Sequence, residues 1–294
     1  MNQSVSIVIP AFNAAEYLAE AINSALSQSV PAAQVIVVDD CSTDDTYRVA
    51  CSFGESIEVY RHPENKGVSA ARNTGAQNAK SDWLLFLDAD DVLAADALMM
   101  LTDNASDERY GVIYGGIVEF DAKTGETRPR GGGNAAGLPP YPAKANFARA
   151  LIVTPGAAVV RKDLHDKIGG FEKPWQPTED RDYWMKLGVL TGFKYLPDVV
   201  LRKREHPKQS VKKYDQTLVW GLMVQIEYYD WLSRQKIDAG FLQLSKKQVV
   251  NKALMRAINR KRYSALCPMV RAIRQYDIVT PLYLFIRLMC TNQS

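Results

Sequence analysis

Cysteine is scarce in this chain of 294 residues: four, at positions 41, 51, 267 and 290, with no Cys-x-x-Cys spacing. Such a density excludes a disulfide scaffold and fits a reducing compartment better than secretion, so all four are read as structural or incidental. Histidine is scarcer still. His62, His165 and His206 are scattered and lack paired ligand spacing, which argues against a zinc hydrolase. No Gly-x-Gly-x-x-Gly follows the first strand pattern and no Gly-x-x-x-x-Gly-Lys-Ser/Thr occurs, so dinucleotide and P-loop sites lose their phosphate cradle. A strand-like pattern begins so early that a charged region, an apolar region and a cleavage site find no room before it, and no secretion signal is expected. The apolar stretch 278–289 is too short and interrupted to span a bilayer; packing against neighbouring helices or lying at a membrane interface are its two readings.

Apolar residues make up 47% of the chain, enough for a substantial core. The net charge of +3 hides an asymmetry. Residues 1–200 carry 18 Lys/Arg against 27 Asp/Glu, whereas residues 201–294 carry 18 against 6. An acidic first part suits a metal-dependent site, and a basic tail suits either a solvated helical face or contact with an anionic surface.

The first hundred residues alternate strand and helix. Ser6–Pro10 reads as a strand ended by proline, and Asn13-Ala14-Ala15-Glu16 matches a capping box opening a helix. Val35–Val38 is a second buried strand stopped by Asp39-Asp40, with Ser42–Thr46 supplying cap chemistry for the next helix. A third strand is expected near Ile57–Tyr60, a helix near Val68–Ala79 and a fourth strand at Trp83–Leu87, which together predict a parallel sheet with crossover helices. Further strands are expected near Val112–Phe120 and Ala157–Val160. Gly131-Gly132-Gly133 and Pro139-Pro140 mark a long loop between them, and a helix follows at Thr178–Leu190. From about residue 212 the pattern is helical, so the chain divides into 1–212 and a basic helical extension, 213–294.

The fourth strand ends in Asp88-Ala89-Asp90-Asp91. A strand buried on both faces delivers these carboxylates together at its C-terminal edge, where open α/β sheets bind ligands. Clustered carboxylates repel unless neutralised, and hard cations such as Mg²⁺ or Mn²⁺ take oxygen ligands and share coordination with phosphates. The alternative is capping of a helix beginning near Leu93. A cap needs one carboxylate, and Asp91 is the one assigned to it.

Taken together, Ile7–Asn13, Val35–Asp44, Asn65–Asn73 and Asp88–Asp91 resemble the family 2 glycosyltransferases of the GT-A fold; with Glu179-Asp180 and Arg204-Glu205-His206 the resemblance reaches about residue 212. It implies an α/β fold with a Rossmann-like, mostly parallel sheet flanked by helices, and transfer of a sugar, with inversion, from a nucleotide donor to an acceptor hydroxyl. By the same resemblance Asp39 would meet the donor's uracil with Pro10 and Ala11 beside the base, and Arg72 would contact the nucleotide. Asp88 would sit near ribose and metal, Asp90 would be the principal ligand of Mn²⁺ or Mg²⁺, and His206 would reach the metal or diphosphate. Asp180 would be the catalytic base, with Asp182 its nearby competitor and Glu179 orienting the acceptor. Arg204 and Lys208 are weaker diphosphate candidates, and Trp184 is read as packing before sugar platform.

The expected partners are a nucleotide-sugar, most simply a UDP-sugar although dTDP offers a similar base edge, and a glycan or lipid-linked glycan acceptor. Polysaccharide or glycolipid synthesis at the cytoplasmic side, with possible peripheral membrane contact through the tail and no nucleic acid, completes the expectation. A non-catalytic nucleotide-sugar-binding subunit and a sugar nucleotidyltransferase are the alternatives.

Overall fold

The structure is a computed structural model, and it describes residues 3–130, 136–139, 141–148, 154–172, 178–206, 214–276 and 278–291. Gly131–Gly133 and Pro140 of the expected loop lie outside the described residues, as does Lys208.

Strands and helices alternate through β1 (Val5–Ala11), α1 (Leu18–Leu26), β2 (Gln34–Asp39), α2 (Thr46–Cys51), β3 (Glu58–Arg61), α3 (Val68–Asn78) and β4 (Trp83–Phe86). The apolar runs behave as their composition dictates, every residue of β1 and β4 being buried. β1 pairs in parallel with β2 and β4, and β2 with β3, so helical crossovers close each connection. α3 lies so close on β1 that a Cβ at Gly75 would come 2.2 Å from Val8 Cγ1. Only glycine permits that approach.

Then follow β5 (Val92–Leu93), α4 (Ala97–Thr102), β6 (Tyr110–Asp121), β7 (Thr127–Arg130), α5 (Tyr141–Ala148), β8 (Ala158–Arg161), α6 (Lys162–Ile168), α7 (Glu179–Leu187) and β9 (Gly192–Glu205). The sheet runs β3-β2-β1-β4-β8-β6-β9-β5, with β7 paired to β6. β8 is antiparallel to β4 and β6, β9 is parallel to β6, and β5 is antiparallel to β9. Strand order reverses at β1, between β2 and β4, which is the switch point where ligands enter such sheets.

Two local expectations are corrected. Asn13 caps no helix: it adopts a left-handed backbone (φ 49), and its Oδ1 accepts hydrogen bonds from Thr43 N and Oγ1. α1 begins five residues later, with Tyr17 at its N-cap and no side-chain cap. Asp91 is not a cap either. The residues after it form β5, and the following helix starts at Ala97 behind Asp96.

The chain forms two compact units, Met1–Lys173 with Tyr183–Lys208, and Pro174–Asp182 with Gln209–Ser294. The second unit holds α8 (Tyr214–Arg234), α9 (Lys246–Asn259), α10 (Leu266–Ile273) and α11 (Pro281–Thr291), together with Glu179–Asp182 from the first turn of α7. Its core is built by residues such as Ile226, Tyr228, Leu232, Val250, Leu254, Met269 and Ile286. Ser245 and Gln248 form a reciprocal capping box at α9. Cys267 and Cys290 form a disulfide joining α10 to α11, with Cα atoms 5.7 Å apart. Two of the four cysteines are therefore paired, because helix packing and not sequence spacing brings them together. Among the described residues no helix is long and apolar enough to cross a membrane.

Candidate functional site

The ends of β1, β2, β4 and β9 carry most of the expected site residues, all within the first unit. Pro10 and Ala11 close β1 and are buried; the Ala11 carbonyl accepts from Asp40 N at 2.8 Å. Asp39 ends β2 fully buried. Its carboxylate accepts from Ser42 N and pairs with Arg61 Nε at 3.0 Å, and the Arg61 guanidinium lies over the Tyr47 ring.

Asp40, the second carboxylate there, is also spoken for. It accepts from His62 Nδ1 at 2.7 Å, from Lys66 N at 2.8 Å and from Gly67 N at 2.6 Å. Gly67, at φ 86, turns the chain into α3. That anchorage sets the position of Arg72 one turn further on.

Arg72 is 3% exposed, lies over the Phe171 ring, and donates from Nη2 to Asp88 Oδ1 at 2.8 Å. Thr154 Oγ1 donates to the other oxygen of Asp88 at 3.1 Å. Burial opposes ionisation of Asp88, but the charges of Arg72 and Lys203 and these hydrogen bonds hold its carboxyl below the usual carboxylate range.

Asp90 Oδ2 lies 2.9 Å from His206 Nε2, and the Asp90 side chain stays 27% exposed. His206 Nδ1 is buried and, among the described residues, has no hydrogen-bond partner. Arg204, a weaker diphosphate candidate, is buried: Nε donates to the Asp90 carbonyl at 2.9 Å and Nη2 to Glu20 Oε2 at 2.5 Å. Its guanidinium lies over both the Tyr17 and Phe120 rings, and the Tyr17 ring centroid is 4.7 Å from that of His206. Asp91 is fully buried, accepts from Arg204 N at 2.9 Å and has Lys203 Nζ 3.5 Å away. Burial, opposed by Lys203 and aided by Asp88 and Asp90, pushes its carboxyl up to about 7.

Lys203 was not foreseen from sequence. Its signal was the basic run Arg202-Lys203-Arg204 in a strand that alternates faces. That alternation sends Arg204 to Asp90 and Lys203 to Asp91. Arg61 and Thr154 have no such signature.

Glu179 and Asp180 belong to the second unit, in the first turn of α7. The Thr178 carbonyl accepts from Arg181 N and Asp182 N, closing that turn. Glu179 and Asp182 are buried, whereas Asp180 keeps partial exposure. Trp184 is wholly buried against Tyr183 and Phe193, which makes it a packing residue. His165 is a core residue too: it bonds the Tyr183 hydroxyl, and burial pushes its pKa down to about 4.

Residues 6–169 match the model of the family described as glycosyl transferase family 2. The chain belongs to that family. It is 32% identical over 221 residues to an uncharacterized glycosyltransferase of Rickettsia conorii, an alignment covering 71% of this chain and 35% of that protein. The chain thus spans about a third of that relative's length. Solved glycosyltransferases share the GT-A fold. Staphylococcus aureus TarS 1–349 in complex with UDP-GlcNAc superposes with a TM-score of 0.67 at 18% identity, over 97% of this chain and 87% of that one. The mannosyltransferase PcManGT of Pyrobaculum calidifontis, in complex with GDP-Man and Mn²⁺, gives 0.58 at 17% identity, over 99% and 85%.

Family 2 membership raises the question of a divalent cation. Among the described residues no three His, Cys, Asp or Glu side chains converge as a ready-made cage. Mg²⁺-like ions seldom need one, since one or two carboxylates plus substrate phosphates suffice. The partly open Asp90 carboxylate, in contact with a histidine whose second ring nitrogen is buried and lacks a partner, fits that donor set.

Proposed function

We propose that this chain is an inverting, metal-dependent glycosyltransferase that moves a sugar from a nucleoside diphosphate, most simply UDP, to an acceptor hydroxyl in polysaccharide or glycolipid synthesis. The observation that carries the reading is the Asp90–His206 contact beside the Arg72–Asp88 pair at the sheet's switch point. The UDP-GlcNAc carried by TarS and the GDP-Man with Mn²⁺ carried by PcManGT support a nucleotide-sugar and a cation.

In this reading Pro10, Ala11 and Asp39 receive the base. A uracil N–H needs a carboxylate acceptor, so Arg61 must yield part of its hold on Asp39 when the nucleotide binds. Arg72 keeps Asp88 ionised beside the ribose. Asp90, with Asp88 and His206, would hold Mn²⁺ or Mg²⁺. Such an ion, once bound, neutralises charge on the departing diphosphate.

A sugar hydroxyl is a poor nucleophile and needs its proton taken as the new bond forms opposite the leaving group. Asp180 takes that proton, and the helix N-terminus behind it favours the carboxylate form. Glu179 orients the acceptor. The basic second unit would bring the enzyme to a lipid-linked acceptor at the cytoplasmic face of a membrane.

The test is a panel of UDP-, dTDP- and GDP-sugars with Mn²⁺ or Mg²⁺, scored for nucleoside diphosphate release with candidate acceptors. Release of pyrophosphate from a nucleoside triphosphate would make the chain a nucleotidyltransferase, and nucleotide binding without any transfer would make it a binding subunit.

A further inference from the structure

Lys203 reaches from β9 toward the carboxylates that follow β4, with Nζ 3.5 Å from Asp91 Oδ2 and a side chain only 18% exposed. Burial works against its charge, but Asp91, Asp88 and Asp90 together outweigh burial and raise its pKa. An ammonium therefore sits in this patch at neutral pH. Arg72 already pairs with Asp88. Two fixed cations thus face three acidic side chains before any ligand arrives, and the Arg130 guanidinium also stands in the field of Asp91.

A site so balanced offers a divalent cation little net attraction, because each fixed positive charge in a partly buried patch repels the incoming ion. A diphosphate reverses the balance by bringing its own negative charge. Resting on the metal–diphosphate reading above, we propose that Lys203 is a resident counter-cation: it keeps divalent-metal affinity low in the nucleotide-free protein and makes metal and diphosphate bind synergistically. It positions charge and does not touch the reacting atoms. A lysine held only for packing or for its pair with Asp91 would leave metal affinity unchanged when replaced.

The experiment measures Mn²⁺ binding to the whole protein by the EPR signal of the free ion, with and without inorganic pyrophosphate. Lys203→Met is expected to bind Mn²⁺ at least about tenfold more tightly than wild type when pyrophosphate is absent. Pyrophosphate should tighten Mn²⁺ binding by about tenfold or more in wild type and by clearly less in the variant. Lys203→Arg, which keeps the charge, should follow wild type. Equal or weaker Mn²⁺ binding by Lys203→Met overturns the proposal. Should that variant not fold, Lys203→Gln gives the same comparison, and wild type alone decides through its response to pyrophosphate, no tightening being the overturning result. Asp90→Asn separates the two levels: unchanged Mn²⁺ binding there defeats the metal-site reading itself. Loss of Mn²⁺ there, with Lys203→Met matching wild type, defeats only the role of Lys203.

Discussion

Asp90 and His206 stand 116 positions apart in the chain, yet the imidazole Nε2 meets the carboxylate at 2.9 Å. In the proposed metal site, replacing either would remove a donor from the cation. Asp90→Asn is expected to lower turnover at least about a hundredfold, the loss seen when a preorganised charge on the leaving side disappears. His206→Gln should weaken Mn²⁺ binding by about ten- to a hundredfold. Titration of Mn²⁺ against activity, and against the EPR signal, checks both. A His206→Gln enzyme with an unaltered metal requirement would count against the assignment.

Asp180→Asn should leave donor binding intact and slow transfer by about 10² to 10⁴-fold, the usual contribution of a general base. Single-turnover transfer and equilibrium nucleotide binding, measured on the same preparation, separate the two. If Asp182→Asn shows the larger loss, the base is one residue pair further along α7.

Asp91 gives stability a pH dependence with a definite sign. Below about pH 4 its carboxyl is protonated in folded and unfolded chains alike. Between there and its folded value of about 7 the unfolded chain gives up the proton first, so this group costs stability progressively as pH rises. The slope is at most about 1.4 kcal/mol per pH unit. The melting temperature of Asp91→Asn minus that of wild type should therefore climb from pH 4 to pH 7. A flat difference would show that Asp91 ionises normally.

The Cys267–Cys290 bond closes a loop between residues 23 apart. Chain-entropy arguments assign such a cross-link about 3 kcal/mol. Dithiothreitol, or Cys267→Ser, should lower thermal stability by several degrees, while Cys41→Ser leaves the reductant response unchanged. Indifference to reductant would mean that the two thiols are free in solution.

Much of the first half of the chain was readable because its signals were redundant. Apolar runs bounded by carboxylates or proline marked β1, β2 and β4, and no other element buries a continuous apolar run as easily. The Asp88–Asp91 cluster was visible for the same reason, since a buried strand leaves its trailing carboxylates one edge to occupy. Asn13 misled because a short polar side chain bonds any nearby donor, and Thr43 lay closer than the helix. Asp91 misled because its real partners, Lys203 and Arg204 N, arrive more than a hundred residues later. Arg204 shows the same limit. Its charge suggested phosphate, whereas its burial rests on partners remote in sequence: Glu20, the Asp90 carbonyl and the Tyr17 and Phe120 rings. The cysteine pair was illegible from spacing, since helices α10 and α11 must first pack.

The terminal residues of β9 serve Asp91 and Asp90 on alternate faces, and β9 is held between β6 and β5 by paired backbone rungs such as Phe120↔Arg204 and Val92↔Arg202. A slip by a single rung would exchange ammonium for guanidinium and swing the imidazole away from its aspartate. Which side chains meet Asp90 and Asp91 is thus set by main-chain ladder alignment, and insertions upstream are harmless only where a bulge absorbs them before the strand's end.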